Sequence, residues 1–590
     1  MLIETGHISV QNQELVLNSV IEEISIPATL KDSLAAKIDA VPDAKPLACL
    51  CSILGREFSY ESIRAVSTES EHETDEHLGQ LIDSSVLILN PSGSSQKFAF
   101  THAMMHEAAY SMLLHADRRA LHLRIARALE SQSATLSHSS PQILAHHFER
   151  AEYPTAAASY LLLAGERALE VSATAEALAQ LTRGIELLEP LARKPKLDQI
   201  LLRLHASIGT AHMLARGWGA PEVEQAYASA LNLRGVADAN ERLWVTWGAW
   251  VYQQVSGRIG SSTSLADEIL RIAQEAEDPD ALLVAHMIQL QRCFYQGQFI
   301  TALEHGAQLL ELYDSARHSH LKNSYSIDLL LVWHVHAAQA RWIVGDSVGA
   351  RREYETARKI AAELNHAHSL AWTLTWGSNY LLLDKQFDRI LDTVPEGLDI
   401  AQSRGFGYPL SLGRIILTEA QQHVADATTD FSASEEALAE FLDTGAGIAV
   451  PYFLTRQASA MAAAGEYVVA QEKIDLALAQ IAKWGERWSE SFTLRVCGDI
   501  LLSCASADPA GAESNYRDAI AVAIGQGAVR WRLEASVALG RLLLGQNRDS
   551  EAALLYTKLK DDSVLELAQQ ANGTMDSLFA SVHENIRPQI

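Results

Sequence analysis

The stretch KFAFTHAMMHEAAYSMLLHADRRALHLRIARALE, residues 97–130, decides how the rest of the chain is interpreted. Phe98 and Phe100 alternate with polar residues as in a short strand, and from His102 onward the apolar residues recur at helical spacing. A second helix follows, which Asp117 can cap, with apolar residues on one face and arginines mostly on the other. We therefore expect a small compact domain before this stretch and helical repeats after it.

The length and composition indicate a large helical protein. The chain has 590 residues, whereas a single hydrophobic core usually holds no more than about 250 to 300 residues. Several domains or a repeat array are therefore required. Strand-like patterns are scarce, and Ala, Leu, Glu and Gln dominate most windows, which is typical of helices. The sequence predicts an all-α fold class.

The charge and the cysteines limit the partners that we expect. The formal net charge is −26, and an acidic surface repels phosphate backbones and anionic lipid headgroups. The charge therefore disfavours nucleic-acid binding, and no membrane partner is expected. The five scattered cysteines favour a reducing compartment. The sequence shows no basic leader and no apolar run of about 18 residues, so the expected location is the cytoplasmic one.

Residues 1–130 carry the pattern of a short hairpin and then of a compact domain. Apolar and polar residues alternate on both sides of the polar run 11–14, which predicts a remnant hairpin and linker over residues 1–26. Residues 27–130 form the predicted domain. Its helices are predicted near 29–42, 44–54, 59–66 and 75–85, and its strands at 86–89 and 98–100, joined by the loop NPSGSSQ. Three helices followed by a β-hairpin are the order of a winged-helix-like domain, here with extra helices packed behind it.

A Ser-rich linker over residues 131–141 separates this domain from a repeat array over residues 142–570. Small residues recur as they do in tetratricopeptide (TPR) helix pairs, where only Gly or Ala allows close approach. Gly297, Gly345 and Gly465 are each followed five residues later by Ala. The glycine intervals of 48 and 120 residues imply a period near 40. We predict a TPR-like α-solenoid, with residues 571–590 as a C-terminal tail.

Two long stretches also resemble a known family. IPATLKDSLAAKIDAVPDAKPLACLCSILGREFSYESIRAV (26–66), together with 98–130, resembles the winged-helix segment that follows the NTPase module in STAND-type signalling ATPases. RGWGAPEVEQAY (216–227) and AIAVAIGQGAVRWRLEASVALGRLL (519–543) resemble the repeats of bacterial regulators that carry an ATPase core and a class III adenylate/guanylate cyclase domain. LuxR-type regulators have related arrays, although the C-terminal tail shows no helix-turn-helix.

The catalytic parts of such regulators are missing from the sequence. No GxxxxGK[ST] loop occurs, and GRIGSSTS at 257–264 lacks the lysine. The paired metal-binding aspartates of a cyclase are also not found. We therefore assign no catalytic residue and expect that the chain is not an enzyme on its own residues. ATP or ADP is expected as a cofactor only through a partner or a missing NTPase module.

His102 is the candidate cofactor-binding residue. The resemblance implies that this histidine, at the start of the helix after the wing, contacts the phosphate of a bound nucleotide in the resting state. A helix start also favours an anion. The alternative interpretation is that His102 caps its helix and packs against the wing.

Other clusters give weaker signals. His102 and His106 have a spacing that can hold zinc, but no third ligand is evident, so no metal site is assigned. Cys49 and Cys51 are two residues apart on a helix and face different directions. A stripe of arginines is interpreted as a solvated face or a dock for an acidic partner. It consists of Arg118, Arg119, Arg124 and Arg127.

The tryptophans of the array are the candidate partner-binding residues. Most tryptophans at helical spacing should pack between helices, but a minority can line a groove and anchor a protein or peptide. The groove candidates are Trp244, Trp247, Trp372 and Trp376.

Three functions remain open at this point. The first is a non-catalytic signalling scaffold that binds a protein or effector through its repeats and relays the event through the winged-helix domain to an ATPase or cyclase module. The second is a C-terminal fragment of an ATP-binding adenylate/guanylate cyclase-type enzyme. The third, a transcriptional regulator, is disfavoured by the charge.

Overall fold

The structure, a computed structural model, describes residues 8–11, 14–17, 30–92, 95–132, 141–171, 173–424, 430–504 and 507–561. Most of these residues are helical, and the strands among them all lie before residue 101. The predicted fold class, all-α with a TPR-like helical repeat array, is confirmed. Most of the predicted linker 131–141 and the whole predicted tail 571–590 lie outside the described residues.

The chain divides into two compact units. The N-terminal unit comprises Met1–Ala164 and Arg183–Leu191, and the repeat unit comprises Gly165–Thr182 and Ala192–Ile590. Among the described helices, none combines the length and the apolar character that crossing a bilayer requires.

Two small sheets and several helices build the N-terminal unit. The strands β1 (Ile8–Gln11) and β2 (Glu14–Leu17) pair antiparallel, as the alternation predicts. The strands β3 (Glu57–Ser59), β4 (Leu87–Ser92) and β5 (Ser95–Phe100) form an antiparallel sheet in the order β3–β5–β4. The helices are α1 (Leu30–Asp39), α2 (Lys45–Leu54), α3 (Tyr60–Val66), α4 (Glu71–Asp83), α5 (Ala103–Met112), α6 (His115–Gln132) and α7 (Pro141–Arg150).

The strand β3 is absent from the sequence-based prediction because three residues are too few to show a period. Its one buried side chain, Phe58, lies opposite Phe98 in the sheet register, with the ring centroids 6.3 Å apart. Phe100 completes this cluster at 5.9 Å from Phe58. The elements therefore run helix, strand, helix, helix and hairpin from α2 to β5.

The N-terminal unit extends past the predicted break at 131–141. Leu144 and Phe148 of α7 are buried against Ala126 of α6, so this helix joins the compact domain. The capping prediction for α6 was wrong: the helix begins at His115, and Asp117 lies inside its first turn. An acidic residue in a first turn still interacts favourably with the helix dipole.

Antiparallel helix pairs build the repeat unit. Two helices, α8 (Pro154–Glu170) and α9 (Thr174–Leu188), contribute residues to both units. The others are α10 (Pro195–Arg216), α11 (Pro221–Leu231), α12 (Ala239–Val255), α13 (Ile259–Ala276), α14 (Pro279–Tyr295), α15 (Phe299–Leu312), α16 (Ser315–His318), α17 (Leu321–Tyr325), α18 (Leu329–Ile343), α19 (Ser347–Glu363), α20 (Ala367–Thr375), α21 (Asn379–Leu383), α22 (Phe387–Arg404), α23 (Gly407–Val424), α24 (Ser432–Asp443), α25 (Val450–Ala463), α26 (Tyr467–Trp484), α27 (Glu490–Ser503), α28 (Pro509–Gln526), α29 (Val529–Gly545) and α30 (Asp549–Asp561).

The predicted period near 40 is confirmed by the helix starts. The first helices of successive pairs begin at residues 195, 239, 279, 329, 367, 407, 450, 490 and 529. Gly297, Gly345 and Gly465 lie in the turns inside pairs with positive φ, which glycine adopts without strain. Lys385, 40 residues after Gly345, takes the same conformation at φ 56°. The alanines that follow these glycines are buried where the helices of each pair cross, as predicted.

The repeat unit also contains contacts that a simple stack of repeats lacks. The backbone N–H groups of Gly447 and Ile448 donate to the carbonyl of Val255 at 2.9 and 3.0 Å, across about 190 residues of sequence. The N–H groups of Arg487 and Trp488 likewise donate to the carbonyl of Tyr295 at 2.8 and 3.1 Å. We call these two sets of bonds the seam. Repeats usually contact only their neighbours, so the seam is a specific feature of this chain.

Candidate binding site

A cavity of about 500 Å³ opens in the repeat unit. It is lined by the end of α8, by α10, α12 and α14, and by the segment 320–325. The stacked pairs bring residues about one period apart to one surface: Arg203, Trp244 and Val284 line it from α10, α12 and α14. We call this the acidic cavity because of the side chains described below.

An insertion in the repeat pattern builds one wall of the acidic cavity. The pair that begins with α14 starts 50 residues before the next pair, whereas the other intervals are 38 to 44 residues. The additional residues form α16 and α17, and His320, Leu321 and Tyr325 from this segment face the cavity. The ring of Tyr325 packs edge-on against Trp247, with the centroids 4.8 Å apart. The insertion is thus anchored on the repeat core.

Carboxylates dominate the charge of the cavity lining. The acidic residues are Glu166, Glu170, Glu241, Asp278 and Asp280, and the one arginine is Arg203. Arg203 donates to Glu166 at 2.8 Å, and burial raises the pKa of Glu166 while Arg203 acts against that rise. Glu241 belongs to the capping box of α12 and accepts weakly from Gln199 at 3.3 Å. Glu170 is exposed at the end of α8.

Asp280 is fixed by two groups of the inserted segment. Arg317 lies 2.9 Å from its Oδ1 atom, and His318 Nε2 lies 3.0 Å from the same atom. His318 Nδ1 accepts the backbone N–H of Asp314 at 2.8 Å, so the ring proton is on Nε2 and is donated to Asp280. His318 is only 3% exposed. The insertion is therefore held against α14 by polar contacts as well as by Tyr325.

Two polar atoms beside the cavity have no hydrogen-bond partner among the described residues. They are the Nε1 atom of Trp244 and the Oγ atom of Ser207. Trp244 is partly buried, and Ser207 is 1% exposed; both residues line the cavity. Buried polar atoms are normally paired. Both atoms are themselves buried, so they lie behind the surface of the cavity and are not counted among the atoms that a ligand in it contacts.

A second cavity of about 230 Å³ lies among α21, α23, α25, α27 and α29. Its charged residues largely satisfy one another. Arg456 forms an ion pair with Glu419 and donates to the Tyr452 hydroxyl at 3.1 Å, and Arg495 pairs with Asp499. This cavity is the weaker candidate for a binding site because its charges are already paired.

The four tryptophans singled out in the sequence have different environments. Trp247, Trp372 and Trp376 are 2%, 4% and 3% exposed and belong to the core of the repeat unit. Trp244 is partly buried and lines the acidic cavity. Periodicity placed Trp244 and Trp247 on one helix but did not distinguish their faces. The interval of 48 residues between Gly297 and Gly345 was the available signal for the insertion beside Trp244.

His102 is the residue immediately before α5, and its side chain is exposed. It makes no side-chain capping hydrogen bond, and with Lys37 and Thr101 it lines a small cavity in the N-terminal unit. His106 lies within hydrogen-bond distance of the Ser52 carbonyl at 2.8 Å. Within the described ranges, no group of three or more His, Cys, Asp or Glu side chains is arranged to hold a metal ion.

Two arginines of the stripe make local contacts, and both thiols of the cysteine pair are buried. Arg118 lies over the ring of Tyr110 at 4.9 Å and donates to the Ser111 carbonyl, and Arg119 pairs with Glu152 at 2.8 Å. Cys49 and Cys51 are buried free thiols. Burial raises the pKa of both thiols, which disfavours the reactive thiolate form.

Comparison with known proteins finds distant relatives. No family model matches the chain. The chain is 20% identical over 440 residues to an uncharacterized protein of Rhizobium meliloti (strain 1021). This alignment covers 73% of the chain and 42% of the relative, so the chain spans about two fifths of the length of that curated relative.

Several solved helical-repeat structures are similar to this chain. A signal transduction ATPase with numerous domains (STAND) that has a tetratricopeptide repeat sensor, from Pyrococcus horikoshii, is 13% identical with a TM-score of 0.32, over 94% of this chain and 69% of that one. A Rap protein complexed with Competence and Sporulation Factor is 11% identical with a TM-score of 0.43, over 68% and 99%. Yeast Tom70 is 12% identical with a TM-score of 0.29, over 78% and 98%. At these identities, none of the three assigns a ligand or partner to this chain.

Proposed function

We propose that this chain is a non-catalytic signalling scaffold whose repeat unit binds a protein or peptide in the acidic cavity. The observation that carries the proposal is the cavity itself, where successive helix pairs and the inserted segment surround Trp244. Aromatic residues in partly desolvated pockets are frequent anchors for protein partners.

The proposal is tested by selecting peptides on the full chain and locating where they bind. A photo-crosslinking amino acid replaces His320, which lines the cavity, and in a control protein it replaces Glu436, an exposed residue of α24. We expect peptides selected from a random library to crosslink at position 320 and not at position 436. Selected peptides that never crosslink at position 320 would disprove the cavity as the binding site.

The second part of the proposal concerns relay through the N-terminal unit. The order of helix, strand, helix, helix and hairpin from α2 to β5 supports a winged-helix-like domain that acts on an ATPase or cyclase module outside this chain. His102 is then a phosphate contact for a nucleotide held by that module, since it is exposed at the start of α5 and lies beside Lys37 in the same cavity.

Calorimetry with ATP or ADP tests this relay. The full chain is titrated with and without a separately supplied NTPase module, as wild type and as His102→Ala. We expect the chain to alter nucleotide binding by the module, and the substitution to weaken that effect. If wild type and His102→Ala behave alike, the phosphate-contact role of His102 is wrong.

The alternative function is a C-terminal fragment of an ATP-binding cyclase-type enzyme, and the family resemblance is what favours it. Translating the DNA upstream of Met1 in the same frame distinguishes the two. An open frame that contains a P-loop would favour the enzyme.

A further inference from the structure

We propose that the acidic cavity selects a basic residue of the bound peptide and holds its guanidinium or ammonium group. This inference rests on the proposed function and specifies the chemistry of the partner. Five carboxylates line the cavity, and two of them are already paired, Glu166 with Arg203 and Asp280 with Arg317. The carboxylates that remain without an ion pair among the described residues are Glu170, Glu241 and Asp278. The surplus of negative charge attracts a cationic group and repels an acidic peptide.

The carboxylates suit an extended organic cation better than a metal ion. A bound Ca²⁺ or Mg²⁺ ion needs several oxygen ligands at about 2.0 to 2.6 Å from one point. The acidic side chains instead come from α8, α12 and α14, and no three of the described His, Cys, Asp and Glu side chains converge on a metal position. A guanidinium group offers five N–H donors spread over a plane, which matches separated acceptors.

The mixed lining of the cavity favours a peptide over a free polyamine. The apolar residues Leu243, Val284 and Leu321 line the cavity together with the carboxylates. A fully protonated polyamine offers N–H donors and a plain methylene chain, whereas a peptide also brings backbone carbonyls and apolar side chains next to its basic residue. The indole face of Trp244 adds a cation–π surface for the basic side chain.

The test is a positional-scanning library of seven-residue peptides, acetylated and amidated so that their ends are neutral, bound to the full chain. We expect arginine or lysine to be enriched at one position or more. The best arginine peptide should bind at least tenfold more tightly than its citrulline counterpart, which has nearly the same shape without the charge. Its affinity should fall as salt rises because the contact is electrostatic.

Paired substitutions assign the preference to the cavity. Glu170→Gln with Glu241→Gln removes two charges, and glutamine at 241 keeps the N3 position of the capping box. We expect this double variant to lose about tenfold in affinity for the arginine peptide, as two partly exposed ion pairs would supply. Glu436→Gln, outside the cavity, should bind like wild type. Trp244→Leu should weaken binding more than Trp244→Phe, which retains an aromatic face.

Three other outcomes would each contradict the inference and would each indicate a different explanation. Peptides that crosslink at position 320 but show no basic preference would leave the proposed function standing and disprove the charge selection. Spermidine that binds with the same dependence on Glu170 and Glu241, while arginine peptides do not, would show that the occupant is a free polyamine. Ca²⁺ binding that the double variant abolishes, without peptide binding, would show a metal site.

Discussion

The side-chain carboxyl group of Glu486 accepts the indole N–H of Trp488 at 2.7 Å and the backbone N–H of Ala449 at 2.9 Å. Glu486 is 1% exposed, and it joins the two parts of the seam, because Ala449 follows the residues that bond to Val255 and Trp488 bonds to Tyr295. A single buried carboxyl group therefore connects both sets of long-range hydrogen bonds.

The first prediction concerns the pH dependence of stability at Glu486. Burial raises the pKa of Glu486 to about 8, although bonds from Trp488 and Ala449 act against the rise. The unfolded chain has a glutamate pKa of about 4.3. Between pH values of about 4.3 and 8, unfolding therefore releases the proton of Glu486. The contribution of this group to the free energy of unfolding is fully present at low pH and is lost as pH rises towards 8. The expected loss is about 1.4 kcal/mol per pH unit. The free energy of unfolding in urea, measured from pH 5 to 8, should differ between wild type and Glu486→Gln by about this slope, with wild type losing more stability as pH rises, whereas Glu436→Gln should follow wild type.

The second prediction compares two glycines with positive φ. A Cβ atom at Gly445 would lie 2.0 Å from the carbonyl oxygen of Gly219, whereas one at Gly405 would have no atom within 4 Å. The φ angles of Gly445 and Gly405 are similar, 78° and 71°, so an alanine would cause about the same backbone strain at either position. We expect Gly405→Ala to cost about 1 kcal/mol from strain and Gly445→Ala to cost about 3 kcal/mol because of the added clash. Equal losses in denaturant unfolding would contradict the close approach at Gly219.

The third prediction concerns a histidine pair in the N-terminal unit. The Nδ1 atoms of His122 and His147 are 3.0 Å apart, so one must donate and the other accept. Burial lowers the pKa of His122 to about 3 and that of His147 to about 4, against about 6.5 in an unfolded chain. The stabilisation is therefore present above pH 6.5 and is lost as pH falls towards 4. Opening free energies of α6 and α7 from hydrogen exchange should fall on acidification, and less so in His147→Asn. His115→Gln, at an exposed position, should keep the wild-type slope.

The fourth prediction concerns the ion pair between Arg456 and Glu419. The two side chains are 13% and 10% exposed. Removing one partner leaves an unpaired buried charge, which typically costs about 3 to 5 kcal/mol. We expect Arg456→Met to lose stability in that range and the double variant with Glu419→Gln to recover part of it. A double variant that loses the sum of the two single effects would show that the residues do not act as a pair.

The repeat architecture could be predicted from the sequence because it is periodic. Gly297, Gly345 and Gly465 mark turns at fixed intervals, and glycine is the residue that a positive φ favours. The alanines after them mark helix crossings for the same steric reason. Such signals depend only on local geometry.

The acidic cavity and the seam could not be predicted from the sequence in this way. The contact of Val255 with Gly447 joins residues about 190 positions apart, and no local period reports such a distance. Trp244 and Trp247 are three residues apart on one helix, and tertiary packing, to which Tyr325 of the insertion contributes beside Trp247, buries one of them while the other lines a cavity.

The seam has a mechanical consequence. A stack held only by adjacent repeats gives way one repeat at a time when its ends are pulled. In this chain, the hydrogen bonds from Gly447 to Val255 and from Trp488 to Tyr295 tie distant repeats together. When force is applied at the ends, we expect the hydrogen bonds of the seam to resist extension until they break together. The repeats between them would then be extended in one large step.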